Sequence, residues 1–165
     1  MRGPIPRGPM PHACGWSNRI CNMNYLSPDD VRKINLLVIR NTGGTAGAVN
    51  EANLHHLCER AKRVRGGLIE VASYYLHAIA YQAHAFTDGN KRTAIQAALL
   101  FLLSNDRALE ASEDELVGMA LLVATGEIKR AGIEKWLRKR VNKARWLRKI
   151  FSPVHQTEVV AQKSQ

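Results

Sequence analysis

Between Thr93 and Ser104 the chain is apolar on almost every side: Ala94, Ile95, Ala97, Ala98, Leu99, Leu100, Phe101, Leu102 and Leu103 leave Gln96 as the one polar interior residue. A helix with this pattern has no polar face to turn outward, so other elements must surround it. Its longest unbroken apolar run, Ala97 to Leu103, is far short of the ~20 residues that cross a bilayer, which excludes a spanning helix. A chain of 165 residues can bury roughly 70% of the surface it exposes when unfolded, enough for one domain without disulfides or structural metal. The expectation is therefore an all-α bundle built around this segment.

The remaining pattern supplies the walls. Ser27-Pro28-Asp29-Asp30 combines an N-cap serine, a proline at the first helical position and acids in the first turn, each of which favours a helix start. Val31, Ile34, Leu37 and Val38 follow at helical spacing and are expected inward. After the glycines at 43, 44 and 47, a second helix starts beyond Asn50 with Leu54, Leu57, Cys58 and Ala61 inward. A third runs from Leu68 to Ala83 and buries Leu68, Ala72, Tyr75, Leu76, Ile79 and Ala83. Ser112 and Glu115 form a capping box ahead of Leu116 to Ala124, and a last helix covers Ile133 to Arg140. No stretch alternates with period two, so strands should be few.

Charge divides the chain. Of 24 Lys and Arg, ten lie between Lys129 and Lys149 beside a single acid, Glu134, so the net +10 is almost wholly local. Residues 1–22 alternate Pro, Gly and Arg without an apolar face and read as a flexible arm, with Met23 standing as an alternative start. No apolar core follows the early basic residues, so a secretory signal is not expected. Residues 23–140 form the domain, and 141–165 a basic extension, a helix and then a tail. Ile133, Trp136, Leu137, Val141, Ala144, Leu147 and Phe151 share one helical face in this reading, ringed by bases that suit nucleic acid or an acidic partner segment. Cys14, Cys21 and Cys58 are odd in number and, with His12, His55 and His56, match no common zinc spacing. Free thiols in a reducing, cytoplasmic setting are expected.

The chemistry is concentrated in His84-Ala85-Phe86-Thr87-Asp88-Gly89-Asn90-Lys91-Arg92, at the entry to the apolar helix. A helix N-terminus offers unpaired N–H groups and the positive end of its dipole to an anion. Gly89 permits a left-handed turn or close ligand approach. Lys91 and Arg92 add charge, and as cations in a first turn they oppose the helix dipole unless an anion joins them. Asp88 is a hard oxygen ligand of the kind that holds Mg²⁺ beside phosphates. His84 can take up a proton near neutral pH, and Phe86 reads as a core anchor.

The segment resembles the signature of the Fic/Doc family, His-x-Phe-x-(Asp/Glu)-Gly-Asn-(Gly/Lys)-Arg, at every fixed position. The resemblance spans roughly residues 24–138. It includes the Tyr25-Leu26-Ser27-Pro28-Asp29-Asp30-Val31 opening, the Gly43-Gly44 loop, the run from Ala94 to Leu103, and Ala124-Thr125-Gly126-Glu127 through Trp136-Leu137. It implies a Fic-like helical bundle with at most a short β-hairpin flap, and transfer of part of a nucleotide to a protein hydroxyl. His84 would be the general base, Asp88 the Mg²⁺ ligand, Gly89, Asn90, Lys91 and Arg92 the ATP phosphate cradle, and Phe86 the anchor of the loop.

Two positions bear on the sub-type that the resemblance implies. Lys91 stands where AMP-transferring members carry glycine, and Ile95 where they carry a second arginine. Both point to death-on-curing (Doc-type) toxins, kinases that move the γ-phosphate of ATP to a threonine of elongation factor Tu and stop translation. The family's inhibitory (Ser/Thr)-x-x-x-Glu-(Gly/Asn) segment does not occur in the sequence, so restraint is expected from a separate antitoxin. Ala85 replaces a proline common in Fic motifs, and Asn50 replaces a charged residue common in Doc-type proteins. AMP transfer by the same site, and nucleic-acid binding through the basic C-terminal segment, stand as the alternatives.

Overall fold

A computed structural model describes residues 23–45, 50–83 and 85–144. The N-terminal arm, His84 and the extension beyond Ala144 lie outside the described residues. Among the described residues, six α-helices, α1 Pro28–Thr42, α2 Glu51–Lys62, α3 Leu68–His77, α4 Asn90–Leu103, α5 Glu113–Ala124 and α6 Arg130–Arg138, are joined by two short strands, β1 Arg107–Leu109 and β2 Val141–Lys143. The apolar α4 is the centre, as its sequence requires: α1, α3 and α5 pack directly against it, and α6 packs on α3. Thr93, Ala94, Ala97, Ala98, Phe101 and Leu102 are buried, and Phe101 meets the Tyr75 ring at 5.3 Å between centroids. The enclosure is incomplete on one side, where Leu100 is 39% exposed and Ile95, Leu99 and Leu103 are partly buried.

Helix starts follow the predicted caps. Ser27 accepts from the Asp30 N–H while the Asp30 carboxylate accepts from the Ser27 N–H, and Ser112 and Glu115 repeat the arrangement at α5. Each reciprocal cap satisfies donors that the first turn cannot bond internally. In α2 all four expected residues, Leu54, Leu57, Cys58 and Ala61, are buried. α1 is rotated from its expected face: Leu37 is 56% exposed, and Val31, Ile34, Asn35 and Ile39 point inward. The spacing that admitted Leu37 also admits Ile39, and the packing surface of α4 selects the latter.

The third helix changes character before it ends. Ala78–Gln82 forms a π-helical turn, closed by the Ala83 N–H donating to Ala78 O at 2.7 Å. Such turns are rare, and they are frequent at functional sites because they widen the helix and re-aim the chain that follows. Here the chain that follows is the motif.

A correction applies at the basic end. The last helix stops at Arg138, and Val141–Lys143 pairs antiparallel with Arg107–Leu109, Leu109 facing Val141 in register. Ala144 is buried, and its N–H donates to Asp106 O at 3.1 Å. Residues 141–143 are thus held as a strand of the domain, and the Ala144 N–H is satisfied by it. The single helical face drawn from Ile133 to Phe151 is broken at its middle, and Leu147 and Phe151 lie outside the described residues.

Candidate active site

Gly89 turns the chain into α4. It caps the helix in the left-handed region, φ 77° and ψ 6°, and a Cβ there would stand 3.0 Å from Ile39 Cδ1 and 3.1 Å from Asn35 Nδ2. Only glycine avoids both the dihedral penalty and the contact. The Thr93 N–H donates to Gly89 O at 2.8 Å. The amides of α4's first turn, ahead of Thr93, therefore have no place in the helical ladder and point outward.

The Asn90 side chain spans the loop. Its Nδ2 donates to Phe86 O at 2.7 Å and its Oδ1 accepts from the Phe86 N–H at 3.3 Å. With the Phe86 ring buried in the core, these bonds fix the loop across one helical turn. Asn90 therefore contributes its side chain to the loop's own shape, a use that the sequence does not announce.

Asp88 sits at the rim with 43% of its side chain exposed. Its Oδ1 accepts from the Gly89 N–H, its Oδ2 accepts from the Thr45 N–H at 3.3 Å, and the Arg92 guanidinium is 3.4 Å away. The backbone bond from Gly89, then that from Thr45, and last the charge of Arg92 hold the carboxyl below the ordinary aspartate range. It is a carboxylate at neutral pH. Gly44 lies against it: a Cβ at Gly44, φ +124°, would overlap Asp88 Oδ2. Arg92 also donates to Thr42 Oγ1 and to Gly43 O, so the end of α1 and the start of α4 are tied through one guanidinium.

Asp88, Gly89, Asn90, Lys91 and Arg92 line one cavity of about 510 Å³, with Ala80, Ile95, Val117 and Leu121 forming its apolar side. A charged wall beside an apolar wall suits a ligand that is anionic at one end and apolar at the other. No group of three metal-ligating side chains occurs among the described residues. A Mg²⁺ ion needs none when substrate phosphates complete its shell, and the ionised, partly exposed Asp88 fits that use.

His84 itself is outside the described residues, but both its neighbours are anchored. Asn53 Nδ2 donates to Ala83 O at 2.7 Å, and the Asn50 N–H donates to Ala85 O at 2.8 Å. Asn50 doubles as the α2 cap, accepting from the Asn53 N–H. Asn35, Thr42 and Thr45 touch the motif segment, Asn53 holds Ala83 just ahead of it, and sequence reasoning missed each of them. Their partners lie 30 to 58 residues away in sequence, beyond any periodicity. The signal that existed was an asparagine on an otherwise apolar face of α1.

The model of the Fic/DOC family matches residues 25–102. The protein kinase doc of Escherichia phage P1 is 34% identical over 122 residues, covering 71% of this chain and 95% of that protein. The chain belongs to the Fic/DOC family, on its Doc-type branch.

Proposed function

We propose that this protein is a Doc-type toxin kinase that transfers the γ-phosphate of ATP to a hydroxyl of an elongation factor Tu-like translation factor in the cytoplasm, blocking protein synthesis. The observation that carries the reading is the left-handed Gly89 at the head of α4, beside a cavity that Asp88, Gly89, Asn90, Lys91 and Arg92 line. A helix N-terminus beside two cations and one carboxylate supports the reading of this loop as a phosphate cradle. The named activity of the phage relative supports a kinase. So does Lys91 on the cavity wall with Ile95 beside it.

In this reading His84, by its place in the motif, accepts the proton of the target hydroxyl. The hydroxyl oxygen bonds to the γ-phosphorus, the bond from that phosphorus to the β,γ-bridging oxygen breaks, and ADP departs with the electron pair. Asp88 would hold Mg²⁺, which neutralises charge on the phosphates. Arg92 and the first-turn amides orient the triphosphate, and the apolar wall of Ile95, Val117 and Leu121 excludes water from one side. Restraint by a separate antitoxin completes the proposal.

Two samples of ATP, labelled at the γ- or the α-phosphate, test it against AMP transfer with elongation factor Tu as acceptor. The kinase reading expects γ-label in the acceptor and none from the α-position. Label from the α-position, or an unmodified acceptor, contradicts it. Running Lys91→Gly in parallel shows whether position 91 sets the choice.

A further inference from the structure

α1 carries an amide where its inward face is otherwise apolar. Asn35 is 5% exposed and shares the buried side of the helix with Val31, Ile34 and Ile39. An amide in that place costs free energy unless its donors are bonded. Here Nδ2 donates to Asp88 O and to Thr93 Oγ1, each at 3.0 Å. The Asp88 carbonyl belongs to the same peptide group as the Gly89 N–H, and that N–H donates to the Asp88 carboxylate. The peptide plane between Asp88 and Gly89 is thus gripped on both edges, by Asn35 on its oxygen and by the carboxylate on its nitrogen. Rotation of that plane would swing both the carboxylate and the left-handed Gly89 that starts α4.

We infer that Asn35 is a positioning residue: through the Asp88–Gly89 peptide it fixes the carboxylate that meets Mg²⁺ and the amides that meet phosphate. The inference rests on the proposed role of Asp88 and adds to it a determinant on a different helix, 53 residues upstream. A residue that only filled the core would affect melting and leave metal dependence alone.

The two bonds of Asn35 separate the possibilities. Thr93→Val removes one partner and leaves the bond to Asp88. Asn35→Leu removes both bonds and strands the Thr93 hydroxyl, whereas Asn35→Leu with Thr93→Val replaces that pair by apolar groups of similar shape, which restores much of the stability. The measurement is Mg²⁺-dependent ATP binding by calorimetry, with thermal melting alongside. In Asn35→Leu and in the double variant, half-saturating Mg²⁺ should rise on the order of tenfold, the loss of one buried hydrogen bond. Thr93→Val should stay within about twofold, a change too small to report a lost bond. Wild-type Mg²⁺ dependence in the double variant, or an equal rise in Thr93→Val, overturns the inference while the proposed function stands. Should neither leucine variant fold, Asn35→Ser, too short to reach Asp88, decides by the same criterion. A wild-type protein that binds no Mg²⁺·ATP overturns the functional reading and this inference together.

Discussion

The two ends of α4 are finished in opposite ways. At the C-terminal end every carbonyl from Leu100 to Ser104 is taken: by the backbone N–H groups of Ser104, Asn105 and Asp106, and by the side-chain amides of Asn105 on Phe101 O and Asn24 on Ser104 O. At the N-terminal end the loop bonds to itself through Asn90 and Asp88, and the helix donors are left facing a cavity. Each end opens on a cleft, and the cleft at the C-terminal end is the larger, about 950 Å³ against about 510 Å³. Volume alone would favour the C-terminal end, whereas the proposed chemistry uses the other. The negative end of a helix dipole with its carbonyls already satisfied has little to offer a triphosphate, whereas the positive end with free donors and two cations does.

The contrast can be broken most severely at the motif. His84→Ala should lower single-turnover phosphate transfer by about 10²–10⁴-fold, the contribution of a positioned general base, with melting unchanged. Next comes Gly89→Ala, which forces a Cβ into a left-handed residue and toward Ile39 and Asn35. It should cost on the order of 1–2 kcal/mol in denaturant unfolding and weaken Mg²⁺·ATP binding as well. The matching change at the other end, Asn105→Ala, removes donors to Phe101 O and Asn24 O and the acceptor of the Asn24 N–H. A similar loss of about 1–3 kcal/mol is expected there, with nucleotide affinity unchanged. Equal stability costs with unequal binding costs would sharpen the comparison; a loss of binding in Asn105→Ala would blur it.

Smaller effects follow from ionisation. The folded pKa of Asp88 lies below the ordinary aspartate value, held there by the backbone bonds from Gly89 and Thr45, so folding favours the carboxylate. Its contribution is present above the unfolded value and disappears as pH falls through the lower, folded one. NMR titration of the Asp88 carboxyl should give a midpoint below the ordinary aspartate value, leaving metal affinity untouched by this group across the neutral range. The smallest effect concerns Cys58, 1% exposed and pushed up to about 11 chiefly by burial. Its thiol should resist maleimide at pH 8 in the folded protein and react on unfolding.

What was legible in the sequence was local or periodic. The caps at Ser27 and Ser112, the inward face of α2, and the enclosure of α4 follow from residues within a few positions of one another. The motif announced its own loop, because Gly89 and the paired cations make sense together only at a helix start. The misplacement of Leu37 came from a spacing that two faces of α1 satisfy equally. The β1–β2 pair escaped because three-residue strands carry almost no alternation and meet across a long sequence interval. Asn35 and Asn53 escaped for a related reason: a side-chain amide reaching a distant carbonyl leaves no trace until the chain is folded. The motif and its helix start could be read, and the distant residues that hold the loop in place could not.

The most direct test follows backbone amide signals while Mg²⁺·ATP is titrated into ¹⁵N-labelled protein. Shifts should concentrate at Thr45 and at Asp88 to Arg92, with the amides of Gly66 to Ile69 and Ser104 to Arg107, around the larger cleft, unmoved. Shifts centred on that larger cleft, with the head of α4 silent, would contradict the account.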